Sequence, residues 1–402
     1  ELGNQNTSNL YPFYEILPVK SNSGNWLVNG GKTNTADIPS LVSTLLTWER
    51  VRSFNVGFDF GAFSNRLTGS FDYFVRKTVD MVGPAPQLPL VLGIAPAIVN
   101  NADMKSYGFE IELSWRDRIG EVDYGVKFNL ADAQQKVVKY PNTTNAFNDW
   151  YAGKMSGEIW GYTSLGIAKT DEEMKEHLAS LPNGGQNQLG NKWGAGDIMY
   201  ADINGDGKVD GGKGTLADPG DQRIIGNSTP RYNFGLVLDA SYKGFDVSIF
   251  FQGVGKRDYA PIVGTNGAVF WGAVNNIWQS MAMEEHFDYF RPEGHPMGAN
   301  LNGYYPRPDF TSNKNHQVQT RYLQDASYIR LKNLQIGYTL PKQWINKLHI
   351  NRCRVYVSGD NLWTGTSLAS MFDPETLAAG DWGSGKTYPL SKVISFGLNV
   401  NF

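Results

Sequence analysis

The sequence predicts an all-β chain, the C-terminal part of a transmembrane antiparallel β-barrel with long extracellular loops. Three observations carry this expectation. Apolar residues recur at every second position in long stretches. The connections between those stretches alternate short and long. Aromatic rings gather at the short-turn ends.

The alternation is clearest in nine segments. Phe54, Val56, Phe58 and Phe60 are interleaved with Ser53, Asn55, Gly57 and Asp59. That period of two marks a strand with one apolar and one wet face. The second segment sets Leu67, Gly69, Phe71, Tyr73 and Val75 against Thr68, Ser70, Asp72 and Arg76. Phe109, Ile111, Leu113 and Trp115 face away from Glu110, Glu112 and Ser114; Val122, Tyr124, Val126, Phe128 and Leu130 oppose Asp123, Lys127 and Asn129. The fifth runs from Tyr232 through Phe234, Leu236, Leu238 and Ala240 to Tyr242, and the sixth through Phe245, Val247, Ile249 and Phe251. Leu334, Ile336, Tyr338 and Leu340 follow, then Val355 and Val357. The last is Ile394, Phe396, Leu398, Val400 and Phe402. An alternating strand that ends on an aromatic resembles the signal read by outer-membrane assembly machinery.

The connections predict which end faces which compartment. Residues 62–66, 117–121, 243–244 and 341–349 are short links, whereas 76–101, 140–230, 254–325 and 361–391 are long. Short periplasmic turns and long extracellular loops are the outer-membrane pattern, and a soluble sandwich has no reason to sort its loops this way. Residues 141–230 and 254–325 are the expected large extracellular loops. The rings Phe60, Phe63, Trp115, Tyr242, Phe245, Tyr338, Trp344 and Phe402 lie at the short-turn ends. Amphipathic rings are stable at headgroup level, so they read as a periplasmic girdle. Ordinary strand-end aromatics are the alternative.

Composition agrees and excludes other classes. Of the 402 residues, Lys and Arg number 36 against 39 Asp and Glu, so neither a nucleic-acid stripe nor an acidic tail is present. The single cysteine, Cys353, cannot form an intrachain disulfide and reads as packing. No apolar run reaches the length of a transmembrane helix, and the start at Glu1 does not read as a signal peptide. Negative mean hydropathy suits a soluble secreted protein, yet it is compatible with a membrane barrel, where only alternate strand residues meet lipid.

The sharpest local motif is Asp202-Ile203-Asn204-Gly205-Asp206-Gly207-Lys208-Val209-Asp210. It follows the opening of a calcium loop, in which oxygens at alternate positions converge on a hard cation and a glycine permits the turn. Asp202, Asn204 and Asp206 offer side-chain oxygens, Lys208 its carbonyl, and Asp210 binds directly or through water. The twelfth position is Lys213 rather than Glu, and Asp218 or Asp221 could replace the missing carboxylate. The expected ligands of Ca2+ or Mg2+ are therefore Asp202, Asn204, Asp206, Lys208, Asp210 and Asp221. An ion-free turn rich in Asn, Asp and Gly is the other reading.

No catalytic constellation is evident, and the chain is not read as an enzyme. Asp171-Glu172-Glu173 begins a short surface helix; Glu284, Glu285 and His286 read as plain surface charge. The aromatics of the long loops (Phe147, Trp150, Tyr151, Trp160, Tyr162, Trp193, Tyr200, Phe270, Trp271, Trp278, Tyr304, Tyr305 and Trp382) could stack on sugars or grip peptides. Most are expected to form cores for the loops themselves.

Several stretches resemble the SusC/RagA branch of TonB-dependent transporters, found in Bacteroidetes. They are Thr47-Trp48-Glu49-Arg50, residues 54–59, 65–74 and 108–115, the 202–207 turn, Arg223-Ile224-Ile225-Gly226-Asn227, residues 242–246, and above all 322–334 and 354–362. The resemblance follows the chain in order over almost its whole length. It implies a plugged barrel of about 22 strands, of which this chain supplies about nine. The plug and the N-terminal regions are not seen in this sequence. It also implies TonB-dependent import of a glycan or peptide oligomer through the outer membrane, with a SusD-like surface lipoprotein as partner. An open sheet cannot stand in lipid with bare edges, so another chain or an upstream segment is expected to complete the barrel. A passive, unplugged porin and a soluble adhesin with a calcium-stapled loop are the competing readings. No nucleic-acid partner is expected.

Overall fold

A computed structural model gives the fold; it describes residues 2–4, 14–39, 41–85, 88–89, 91, 93–94, 96–261, 269–272, 283–310, 312–346, 349–377 and 387–402. Trp278 and Trp382 lie outside the described residues. Ten strands form one antiparallel sheet in chain order. They are β1 (Leu2–Asn4), β2 (Glu49–Ala62), β3 (Leu67–Gly83), β4 (Val99–Ile119), β5 (Val122–Lys139), β6 (Arg231–Tyr242), β7 (Phe245–Lys256), β8 (Tyr328–Thr339), β9 (Arg352–Thr366) and β10 (Val393–Asn401). The nine long ones are the nine segments expected from alternation.

Their short links have local causes. Between β2 and β3, Phe63, Ser64 and Asn65 all adopt left-handed backbone conformations, reversing the chain in few residues. Lys243 and Gly244, with φ of 48° and 90°, form the two-residue turn whose twist matches an antiparallel pair. Several strands run further outward than alternation suggested. The link expected at 76–101 narrows to 84–98, because β3 continues to Gly83 and β4 begins at Val99. The outer ends of these strands carry polar residues on both faces, which erases the contrast that period two relies on.

The chain divides into two compact units. The first comprises Glu1–Val56, Phe74–Tyr107 and Gln134–Ser156. In it Asn100 brackets Thr47, accepting from its backbone N–H at 2.8 Å and donating to its carbonyl at 2.9 Å. Asp80, at φ 57° within β3, is held by an ion pair with Arg50. Two short hairpins, Val19–Lys20 with Thr35–Ala36 and Leu27–Val28 with Gly31–Lys32, occupy the segment between β1 and β2.

The second comprises Gly57–Tyr73, Gly108–Ala133 and Gly157–Phe402. Its strands turn their apolar side chains outward: Phe58 is 60%, Phe396 85% and Leu398 64% exposed. Among the described residues no second sheet covers that face. The short-turn rings pack on one another in the open, with Phe63 edge-on to Trp115 at 5.9 Å and Phe245 against Tyr338 at 4.4 Å. The Trp115 indole N–H also donates to the Tyr124 hydroxyl at 3.1 Å. The buried core lies in the loops instead. Trp271, Tyr200, Tyr305, Tyr322, Phe270 and Phe290 are the largest buried aromatic side chains, and none stands on the ten-stranded sheet. A soluble fold does the reverse, burying the apolar face of its sheet.

Candidate functional site

Two structures built on the second unit could carry function: the polar face of the sheet and the folded outer loops. On the polar face, β7 aligns Asp246, Ser248, Phe250 and Gln252 with Gly337, Gln335, Asn333 and Arg330 of β8. The Arg354 guanidinium forms an ion pair with Asp246 and donates to Gln335 at 3.0 Å. Arg330, almost fully buried, donates to Thr364, Asp373 and Glu375, and Lys332 reaches the other Glu375 oxygen at 2.5 Å. Two carboxylates of the segment after β9 are thereby fastened to the β8 wall, and Arg257 donates to the backbone carbonyls of Pro374 and Leu377. A groove of about 450 Å3 on this face is lined by Glu110, Glu112, Asn129, Asn233 and Gln252 around Phe250. Phe250 escaped the sequence reading. The run Ile249-Phe250-Phe251, where a polar residue is due, was the available signal. The Arg330 network left no such trace, since its carboxylates lie more than 40 residues away.

Residues 157–230 and 254–325 fold together within this unit. Ser164–Ile167 pairs with Ile198–Tyr200, and Glu158–Gly161 with Arg223–Asn227. The helix α1 (Asp171–Ala179) forms where the acidic run stands, capped by Thr170, whose side chain accepts from the Glu173 N–H. Tyr200 donates to the Lys314 carbonyl at 2.6 Å, and Ile198 N–H to Asn315 Oδ1 at 2.9 Å, so the two loops share hydrogen bonds as well as a core. The expectation of self-packed aromatics holds for Phe147, Tyr162, Tyr200, Phe270, Trp271 and Tyr305, all buried; Trp150 remains exposed. His286 departs from the surface reading. It is buried, accepting from the Met283 N–H at Nδ1 and meeting the Val269 and Phe270 carbonyls with Nε2. The Val269 and Phe270 carbonyls hold it there, a long-range arrangement that a run of charged neighbours does not announce.

The acidic turn folds as a self-contained knot. Asp202 accepts from the N–H groups of Gly205 and Gly207, Asn204 from Asp206, and Asp206 from Lys208. Gly205 and Gly207 take φ of 75° and 81°, which explains both glycines. Asp221 is the hub, fully buried and accepting from Ile203, Asn204 and Asp210. Burial pushes its carboxyl above the usual range, against the pull of those N–H donors. Asp210 receives the Lys208 ammonium at 2.5 Å and the Gly212 N–H, and the ammonium holds its carboxyl below the usual range. Thus all six expected ligands come together in one turn. Yet among the described residues no three carboxylate, imidazole or thiol groups are gathered tightly enough to hold a metal.

The sequence matches the family described as TonB dependent receptor-like, beta-barrel over residues 4–362. The chain belongs to that family. As a TonB-dependent receptor barrel it is an outer-membrane protein, and its exposed apolar face is the lipid face. Among its relatives are TonB-dependent receptor P3 of Formosa agariphila, 28% identical over 97% of this chain, and SusC of Bacteroides thetaiotaomicron, 20% identical over 90%. The chain spans 38% and 33% of their respective lengths. Among solved structures, the RagAB peptide transporter superposes over 98% of this chain and 39% of its own, with a TM-score of 0.68 at 22% identity. The fold is therefore that of part of a TonB-dependent receptor barrel of the SusC/RagA kind.

Proposed function

We propose that this chain supplies wall and outer loops to an importer that draws an oligomeric nutrient, glycan or peptide, through the outer membrane. The observation that carries the reading is the inversion of the fold: apolar side chains exposed on the strands, polar and charged ones on the opposite face, and, among the described residues, the largest buried side chains in the loops rather than on the sheet. Strands β1 and β10 are the edges of the sheet, and bare edges are not tolerated in hydrocarbon. Further strands and a plug outside this chain complete the barrel in this reading. Energy comes through TonB, and a SusD-like surface lipoprotein delivers cargo to the loops. The fastening of Asp373 and Glu375 to Arg330 gives the inner wall a fixed polar lining at the outer mouth. The test is oligomer uptake by cells producing the whole protein. Uptake must vanish when either TonB or the adjacent surface lipoprotein is removed; uptake indifferent to TonB assigns a passive porin instead.

The acidic turn is proposed to take Ca2+, or Mg2+ in its place, through Asp202, Asn204, Asp206, Asp210 and Asp221 with the Lys208 carbonyl. Hard oxygens on a glycine-turned loop are the donor set such ions select. The Lys208 ammonium occupies the place of the cation at Asp210, so ion binding requires that side chain to swing away.

A further inference from the structure

The long loops of the second unit bury their apolar side chains, but the segment between β1 and β2 in the first unit does not. Residues 14–48 form a hairpin whose tip is the Asn29-Gly30 turn. With φ of 53° and 80°, these two residues supply the left-handed pair that a two-residue hairpin turn requires. Behind the tip, Leu27–Val28 pairs with Gly31–Lys32, and Val19–Lys20 with Thr35–Ala36. The Gly24 N–H donates to the Thr33 carbonyl and the Asp37 N–H to the Pro18 carbonyl, both at 2.9 Å. The backbone is thus paired along the hairpin, yet among the described residues of 14–48 only Gly24 is buried. Trp26, Leu27 and Ile38 are 61%, 68% and 69% exposed, and Ile16, Val19 and Leu45 are exposed as well.

A two-stranded hairpin without a core is marginal in water, and a large exposed apolar surface marks a contact site. Charge says what kind. Residues 14–48 carry only Glu15, Lys20, Lys32 and Asp37, and Lys20 is paired with Asp37 at 2.5 Å. Permanent interfaces are the more hydrophobic class and resemble a core cut in half. Position says where the other half lies. Leu2 of β1 stands opposite Val51 and Asn4 opposite Glu49, so the hairpin leaves from the outer end of β1. The far side of β1 is an edge of the sheet, and in a membrane barrel that edge must be paired. The chain spans 38% of the length of TonB-dependent receptor P3, so a protein of that length has further chain to supply the strand. In an antiparallel barrel the outer end of that strand lies beside the outer end of β1 and continues into an outer loop. The second unit shows how such loops solve burial: Tyr200 and Tyr322, from different loops, belong to one shared core.

We propose that residues 14–48 are covered by the outer loop of the strand that pairs with β1, a segment upstream of Glu1 in the whole polypeptide, and that the two form a second loop core. Trp26 and Leu27 are its anchors, since large apolar side chains at the centre of a contact carry most of its energy. The covering loop presents apolar and aromatic side chains, not a charged surface. The inference rests on family membership alone. A barrel that imports without TonB, or without a surface lipoprotein, needs the same core.

The test places the photo-reactive residue p-benzoylphenylalanine at position 26 or 27 of the whole protein in intact outer membranes, and identifies the cross-linked peptides by mass spectrometry. The expected product joins the hairpin to an upstream outer loop of the same polypeptide, without a change in the mass of the chain, and it persists in cells lacking the surface lipoprotein. Cross-links to the lipoprotein, to a second copy of the chain or to lipid overturn the proposal, as does the absence of any cross-link. A second measurement needs no label. In the double variant W26S/L27S, amide exchange is expected to rise several-fold both in residues 27–36 and in the upstream loop, while β2 to β5 exchange as in the wild type. Faster exchange confined to the hairpin overturns the proposal, because the upstream loop is then packed without it.

Discussion

The Lys314 ammonium lies 2.9 Å from the Asp197 carboxylate, and the two side chains, from different loops, are 2% and 0% exposed. Lys314 also donates to the backbone carbonyls of Asn191 and Lys192, while Asp197 receives Asn315, the Gly194 N–H and the half-exposed Arg307. Breaking one side of a buried pair leaves the other charged and uncompensated. Lys314→Met is therefore expected to destabilise the loop body by about 3 kcal/mol, the lower end of the usual range because Arg307 remains. Amide hydrogen exchange at Ile198 and Tyr200 measures it. The double variant K314M/D197L is expected to recover part of the loss; if K314M leaves exchange unchanged, the pair does not join the loops.

His316 gives the loop body a pH dependence. It is buried edge-on to Trp271 at 4.6 Å, and burial pulls its imidazole down to about 4, opposed by Asp309. The unfolded loop takes up a proton near pH 6.5 and the folded one only near 4, so stability is full above 6.5 and declines as pH falls between the two. The loss amounts to about 3 kcal/mol at the acid end. Loop exchange rates compared at the two ends of that window check this, and His316→Phe is expected to flatten the dependence.

On the proposed reading of the acidic turn, Lys208 and a divalent cation would compete for the Asp210 carboxylate. With Lys208→Met, Asp210 keeps only the Gly212 N–H as a donor to its side chain, so the turn should become dependent on added Ca2+. Limited proteolysis within 202–221 is expected to be slow with Ca2+ and fast with chelator in the variant, with a smaller difference in the wild type. Cleavage indifferent to Ca2+ in both proteins leaves the turn an ion-free knot.

Phe396 distinguishes lipid from water directly. At 85% exposure, a substitution in a soluble protein would change stability by no more than about 0.5 kcal/mol. Facing hydrocarbon, Phe396→Arg should cost about 2–4 kcal/mol. Denaturant titration of the whole barrel folded into vesicles measures the difference.

The strands were legible because strand geometry is local. Whether Phe54 and Asp59 lie on opposite faces follows from a two-residue period, whatever surrounds them. Turn chemistry was equally local at Lys243-Gly244, and so was the α1 cap at Thr170. The acidic turn was legible as a set of residues gathered on one loop. Its internal solution was not: the choice of Asp221 over Asp218 as hub depends on backbone donors that only the folded loop presents. Phe250 was visible only as an interruption of the alternation.

The sequence by itself determined the nine long strands, their inward and outward faces, the short and long ends and the family. Each of these rests on spacing between near neighbours or on ordered motifs. Only the tertiary structure decided that residues 157–230 and 254–325 form one body around Tyr200 and Trp271, that Lys314 neutralises Asp197, and that Arg330 holds Asp373 and Glu375. Those contacts join residues far apart in the chain, and which charge meets which is fixed by burial, where an uncompensated charge costs most.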